Sequence, residues 1–262
     1  MVSFDIIGNI AIFESKEKEN EKRITEEIMK KHKNIIAIYK KVSGREGEFR
    51  LRKLKLIAGK NISVTTHKEY GCLFKLNVRK VYFSPREATE RVRVAEKINE
   101  YKKFQNNVGE RAIIFFAGVG PYPIIISKRC DLREIIGIEK NPIAIKYFRE
   151  NIMLNKVKNV MPILGDVKEK SKEYKNFADF IVMPLPESGW KYLKDAMACL
   201  RNGGVCFFYA IGEEKNLYEK WEDKIFSTCK RIGKNVKILD KRKVLPFGVR
   251  TWKIRIDFQI ED

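Results

Sequence analysis

The strongest constraint on this chain's fold is the run Ile113-Ile114-Phe115-Phe116-Ala117-Gly118-Val119-Gly120-Pro121-Tyr122, followed by Ile135-Ile136-Gly137-Ile138-Glu139. It reads as strand, glycine turn, helix, strand, acid. Two closely spaced glycines let the backbone approach a ligand, and an acid at the tip of the next parallel strand can accept both ribose hydroxyls. The segment therefore reads as half of a nucleoside site. A tight strand-to-helix turn also favours Gly-x-Gly for its own sake, so a purely structural reading stands beside it. Neither Gly-Lys-Ser/Thr nor a third glycine follows, which disfavours a phosphate cradle. Next, Asn141 can cap a helix and Pro142 fits its first turn, an order of parts that suits S-adenosylmethionine better than a dinucleotide.

From residue 111 onward, strand patterns at 112–116, 135–138, 160–163, 179–183, 204–210, 236–241 and 251–260 alternate with helical ones. Such alternation builds a mostly parallel α/β sheet. Trp190, Leu193, Met197 and Leu200 stripe a helix expected over 187–201, and Leu217, Trp221, Ile225, Cys229 and Ile232 stripe the next. Both stripes read as core. In the last strand Trp252, Ile254, Ile256 and Phe258 alternate with Lys253, Arg255, Asp257 and Gln259, which fits an antiparallel strand completing the sheet. Ahead of this region, strand patterns at 6–13, 35–39, 48–56, 61–66 and 72–78 accompany a helix at 17–31 with Ile24, Ile28 and Met29 on its apolar stripe. The expected organisation is a small α+β domain over 1–84, a charged connecting helix within 85–110 and a Rossmann-like domain over 111–262.

With 262 residues, 44% of them hydrophobic, the chain can bury one sizeable core and a smaller companion. Fifty-four Lys and Arg against 34 acids leave a net charge of +20, which calls for a polyanionic partner, nucleic acid first. Mixed charge runs such as 16–22 also read as solvated helix faces. The five cysteines lack any Cys-x-x-Cys pair and only His32 and His67 are present, so neither a zinc site nor a disulfide frame is supported. No apolar run is long enough to span a bilayer and no signal segment opens the chain, so a cytoplasmic protein is expected.

Several strings sharpen this reading: Ser3-Phe4-Asp5-Ile6-Ile7-Gly8, Gly47-Glu48-Phe49-Arg50, His67-Lys68-Glu69-Tyr70-Gly71-Cys72, Val81-Tyr82-Phe83-Ser84-Pro85-Arg86 with Glu90-Arg91, and Phe116 to Pro121. With Glu139-Lys140-Asn141-Pro142, Asn155-Lys156 and Gly165-Asp166 they resemble, over nearly the whole chain, the archaeal and eukaryotic type of tRNA (guanine-N1)-methyltransferase, which modifies guanosine 37 beside the anticodon. The resemblance implies a class I S-adenosylmethionine-dependent methyltransferase sheet of seven strands, with the anticodon arm of tRNA as partner, no metal, no membrane and a monomeric state. It places S-adenosylmethionine on Tyr82, Phe116, Ala117, Gly118, Val119, Gly120, Tyr122, Glu139, Lys140 and Asp166. Glu90 matches the family's general base for the N1 proton, and Arg50 the arginine that stabilises charge at O6. Pro184 and Pro186 fall on the turn that holds the base. Read without the resemblance, Glu90 pairs with Arg86 or Arg93 on a helix, Arg50 faces solvent, and Asp166 closes a turn. Tyr82, Phe83 and Trp190 are candidates for base stacking or for core, and Arg45, Arg52, Lys53, Arg79 and Lys80 for phosphate contacts.

The chain departs from the family pattern in three places. Ile114 replaces an aspartate that opens the glycine motif, and Pro184-Leu185-Pro186 replaces Asn-Leu-Pro, removing the asparagine expected to position the base. The family's small leading domain is also missing from the sequence, so recognition is expected to rest on the anticodon arm. The Pro184 change is compatible with a branch that also methylates C7 of the wyosine precursor 4-demethylwyosine. Two other readings stay open: an aminocarboxypropyl transferase of the wybutosine pathway, and a non-catalytic RNA-binding protein on the same fold.

Overall fold

The computed structural model describes residues 4–15, 19–104 and 110–261. Strands β1 (Phe4–Ile7) and β2 (Ile10–Phe13) turn tightly at Gly8-Asn9, so the strand pattern over 6–13 is a hairpin rather than one strand. Helix α1 (Glu19–Lys31) carries the chain to β3 (Ala37–Lys41), parallel to β2, and β4 (Leu54–Gly59) closes a four-stranded sheet in the order β1-β2-β3-β4. Ile24 and Ile28, one helical turn apart, bury against it, whereas Met29 faces solvent. Of residues 48–56, expected as one strand, 48–50 lie in a turn instead, where Arg50 takes a left-handed backbone with φ of 54°, and β4 begins only at Leu54.

Strands β5 (Val64–Glu69) and β6 (Cys72–Asn77) form a separate hairpin. A 3-10 turn at Pro85–Glu87 opens α2 (Ala88–Phe104), and there follow β7 (Arg111–Phe115), α3 (Pro121–Arg129), β8 (Glu134–Glu139), α4 (Pro142–Leu154) and β9 (Val160–Leu164). The rest is α5 (Val167–Lys170), β10 (Ala178–Met183), α6 (Leu193–Cys199), β11 (Leu200–Glu213), α7 (Glu219–Arg231), β12 (Asn235–Gly248) and β13 (Thr251–Glu261). All seven strands expected after residue 111 join one sheet in the order β12-β13-β11-β10-β7-β8-β9. The five from β11 to β9 run parallel, and β13 is antiparallel to both β11 and β12. One face packs on α2, α3 and α4, the other on α6 and α7.

Two features join the hairpin and α2 to this sheet. Asn151 and Asn155, one turn apart on α4, take the place of a neighbouring strand for β6: their Oδ1 atoms accept the Lys75 and Leu73 N–H groups at 2.8 Å, and their Nδ2 atoms donate to the same residues' carbonyls. The second lies on β13, where alternation does not separate core from solvent. Lys253, Arg255 and Asp257 are as buried as the apolar residues between them. Their face meets α2 and the 3-10 turn before it: Lys253 Nζ lies 2.9 Å from Glu87, Arg255 Nη1 donates to Glu90 at 2.7 Å, and Tyr101 donates to Asp257 at 3.0 Å.

Candidate active site

A cavity of about 460 Å³ opens at the carboxyl ends of β7, β8 and β10 and is walled from the small sheet's side by residues 47–50 and 82–84, the position at which open α/β sheets bind ligands. The two glycines of the β7–α3 turn have separate roles. At Gly118, φ of +59°, a Cβ would meet only the Tyr82 carbonyl oxygen at 3.9 Å, so this glycine keeps the cavity open. At Gly120, φ of +87°, a Cβ would lie 2.1 Å from the Phe148 ring, so that glycine lets α4 close on the turn. Phe116 and Arg50 line the cavity with positive φ of 56° and 54°, and strained backbone of this kind concentrates at functional sites.

Glu139 accepts the Gly118 N–H at 2.8 Å on one oxygen and the Asn141 N–H at 2.7 Å on the other. Burial raises its pKa above the ordinary carboxylate value despite those bonds. Asp166 caps α5 through the Lys168 N–H at 2.8 Å and takes Lys140 Nζ at 2.9 Å, while Lys140 also pairs with Glu48 of the opposite wall. Burial opposes ionisation of Asp166, but Lys140 outweighs it and its pKa is lowered. Acceptors beside an open glycine turn fit the hydroxyl and amino groups of a nucleoside, whereas a phosphate would meet two carboxylates.

A second group of residues has the opposite chemistry. Arg50 Nη2 lies 2.6 Å from Glu187 Oε1, yet Arg50 Nε and Nη2 have no aligned acceptor. Arg45 and Arg50 both lie over the Tyr82 ring, at 5.0 and 5.3 Å. Arg91 donates to both oxygens of Glu69 at 2.8 Å and to the Ser84 carbonyl. Between these stands Glu87, with Tyr82 donating to it at 3.4 Å and Lys253 beside it. Burial alone would raise the Glu87 pKa, but Lys253 and Arg91 together hold it below the ordinary value. Among the described residues no group of His, Cys, Asp and Glu is placed to hold a metal, and no helix is long and apolar enough to cross a membrane.

The profile of the TRM5/TYW2 methyltransferase domain matches residues 65–239, and that of the TYW2 N-terminal domain residues 1–62. The chain belongs to the TRM5/TYW2 methyltransferase family. Among curated relatives it is 44% identical to the tRNA (guanine(37)-N(1))-methyltransferase Trm5b of Pyrococcus abyssi, over 98% of this chain and 74% of that one. It is 33% identical to the tRNA(Phe) (4-demethylwyosine(37)-C(7)) aminocarboxypropyltransferase of Methanocaldococcus jannaschii, over 99% and 98%. It is also 33% identical to the tRNA (guanine(37)-N(1))/4-demethylwyosine(37)-methyltransferase Taw22 of Nanoarchaeum equitans, over 99% and 100%. Two solved structures align over 99% of the chain: aTrm5 with tRNALeu, at 30% identity, TM-score 0.84 and 72% of that chain, and M. jannaschii TYW2 with AdoMet, at 28%, 0.73 and 99%.

Against a TRM5/TYW2 site, the residues expected to hold the cofactor line the cavity except Val119 and Gly120, which face the packing between α3 and α4. Of the expected catalytic residues Arg50 and Pro184 line it, and Pro186 is buried behind. Glu90 does not line it either. It is 2% exposed, and its oxygens are taken by Arg255 and Tyr209, both at 2.7 Å, and by Arg93. Its route to the cavity runs through Tyr209 and then Tyr122, whose hydroxyls lie 3.2 Å apart. Tyr82 and Phe83 line the cavity while Trp190 packs with the α6–α7 core, and Ile114 is buried inside β7. Sequence reasoning missed Glu87, Arg91, Glu187 and Lys253. Glu87 and Arg91 sit one helical turn apart, which places them on a shared face; nothing local marks Lys253.

Proposed function

We propose that this chain transfers a methyl group from S-adenosylmethionine to N1 of guanosine 37 in the anticodon loop of tRNA. What carries the reading is one cavity with two groups of opposite chemistry, hydroxyl acceptors beside Gly118 and a guanidinium with a carboxylate beside Tyr82. Likeness to Trm5b over nearly the whole chain supports it. S-adenosylmethionine supplies a methyl group on a cationic sulfur, open to displacement by an electron pair. Guanine N1 carries a proton at neutral pH, and its pair is freed as that proton leaves. Glu87, ionised and on the cavity wall, accepts the proton in this reading. Charge then moves toward O6, where the Arg50 guanidinium, whose Nε and Nη2 have no aligned acceptor, stabilises it more in the transition state than in the ground state. Glu90 acts at one remove, by fixing Arg255 and through it the strand that carries Lys253. Pro184 and Pro186 shape the turn after β10 without a side-chain donor, so base selection falls to Arg50 and Glu87. One chain supplies both groups, and in this reading it works as a monomer, in the cytoplasm with its tRNA.

The test is the co-product. Incubation with tRNA carrying guanosine 37 should release S-adenosylhomocysteine in step with methylated nucleoside. A second reading draws on the TYW2 match over residues 1–62 and on the M. jannaschii relative: aminocarboxypropyl transfer to 4-demethylwyosine, which would release methylthioadenosine instead. Methylation of that same nucleoside, the dual activity in Taw22's name, would again give S-adenosylhomocysteine.

A further inference from the structure

Four side chains from three separate segments alternate ring and guanidinium between the tip of the β12–β13 hairpin and the cavity. Arg45 lies 6.0 Å from the centre of the Phe247 ring and 5.0 Å from that of Tyr82, and Arg50 lies 5.3 Å from Tyr82. Glu187 holds both guanidiniums, at 3.2 and 2.6 Å. The inner end of this series faces the cavity, while the outer end is open: Phe247 is 37% exposed and Val249, at the turn, 91%. The hairpin is held to its tip, because β12 and β13 stay paired, with a register shift at Phe247, as far as Gly248 and Thr251 while β11 supports β13 up to the same residue. From Lys241 to Lys253 it carries five cations and no acid. Lys241 and Lys253 pair with Glu222 and Glu87, whereas no carboxylate pairs with Arg242 or Arg250 among the described residues.

We propose that Phe247, backed by Arg45, is a stacking platform at the cavity mouth for the unpaired nucleotide next to the guanosine swung into the cavity. Unpaired bases stack on aromatic rings and on guanidinium planes alike, so a nucleobase on Phe247 would extend a series already built into the protein. The free cations of the hairpin would meet the phosphates on either side. An enzyme that draws one base out of a loop gains by holding its neighbour, since the neighbour otherwise follows the target or closes the gap. The proposal rests on the tRNA reading above for the identity of the loop, but not on the chemistry performed there.

The experiment uses an anticodon stem–loop with 2-aminopurine beside the target guanosine. Binding to wild type should quench its fluorescence by stacking. Phe247→Ala should lose that quench and raise Kd and KM for the RNA roughly tenfold, with kcat within about twofold and affinity for S-adenosylhomocysteine unchanged. Phe247→Trp should restore both quench and affinity, which a loss of folding could not explain. Equal quench and affinity in Phe247→Ala and wild type would overturn the platform, as would failure of wild type to bind the stem–loop. If wild type binds in a Phe247-dependent way yet leaves guanosine 37 unmodified, the platform stands and the methylation reading falls.

Discussion

Gly118→Ala and Gly120→Ala should fail in different ways although they alter the same turn. The first puts a methyl group into the cavity at φ of +59°, so Kd for S-adenosylmethionine should rise at least about tenfold by calorimetry, with only about 1–2 kcal/mol lost from stability. The second drives a Cβ into Phe148, and little folded protein should be recovered. The two carboxylates of the connecting segment separate in the same manner. Glu87→Gln should slow single-turnover methyl transfer by roughly a hundredfold while tRNA affinity holds. Glu90→Gln removes one of the carboxylates around the buried Arg255, which keeps Asp257 and Asp240, and should cost about 1.5–3 kcal/mol of stability, with a far smaller effect on the rate; the reverse order would move proton acceptance to Glu90 by way of Tyr209 and Tyr122. Glu139 could be placed from sequence because strand, turn and acid are contiguous. Which acid of the α2 segment meets the cavity is decided by Lys253 and Arg255, more than a hundred and sixty residues away, and no local pattern carries that.

Among elements, β6 depends on two asparagines of α4 for its outer hydrogen bonds. Asn155→Ala leaves the Leu73 N–H and carbonyl without these partners and should lower the free energy of unfolding by about 2 kcal/mol or more in urea. The β5–β6 hairpin also holds the first turn of the chain, since the Gly8 N–H donates to His67 Nδ1 at 3.2 Å. Burial, and then the Arg91 charge, push the His67 pKa down from 6.5 to about 4. The folded protein thus keeps the imidazole neutral while the unfolded chain protonates below pH 6.5. Its contribution to stability is full above pH 6.5 and fades as the pH falls through about 4. His67→Gln should flatten the stability curve in that window, and an unchanged slope would discount the imidazole. Of the strands after residue 111, β7, β8 and β10 were legible as compact apolar runs and β13 by its alternation. The faces of β13 were not: period-two alternation marks which residues share a side, and only α2, lying across the charged side, shows that this side is buried too. The turn at 47–50 was missed because Phe49 and Arg50 read on into the strand pattern that follows, although Gly47 opens the turn at positive φ.

For the molecule as a whole, the net charge of +20 predicts that tRNA affinity falls at least about tenfold between 50 and 200 mM salt, while affinity for S-adenosylmethionine stays nearly constant. A flat tRNA response would count against an electrostatic footprint. The seven-stranded α/β sheet and the open glycine turn were readable from the sequence, because they follow from contiguous segments and from likeness spread along the chain. The walls of the cavity facing the small sheet were less so, because residues 47–50, Tyr82, Glu87 and Glu187 meet there only once the fold has closed. Nucleoside mass spectrometry after incubation with two transcripts, one carrying guanosine and one adenosine at position 37, decides whether the chain methylates N1 of guanosine there. 1-Methylguanosine should form at that position in the first and no new modification in the second. Methylation of both, or of neither, would contradict that assignment.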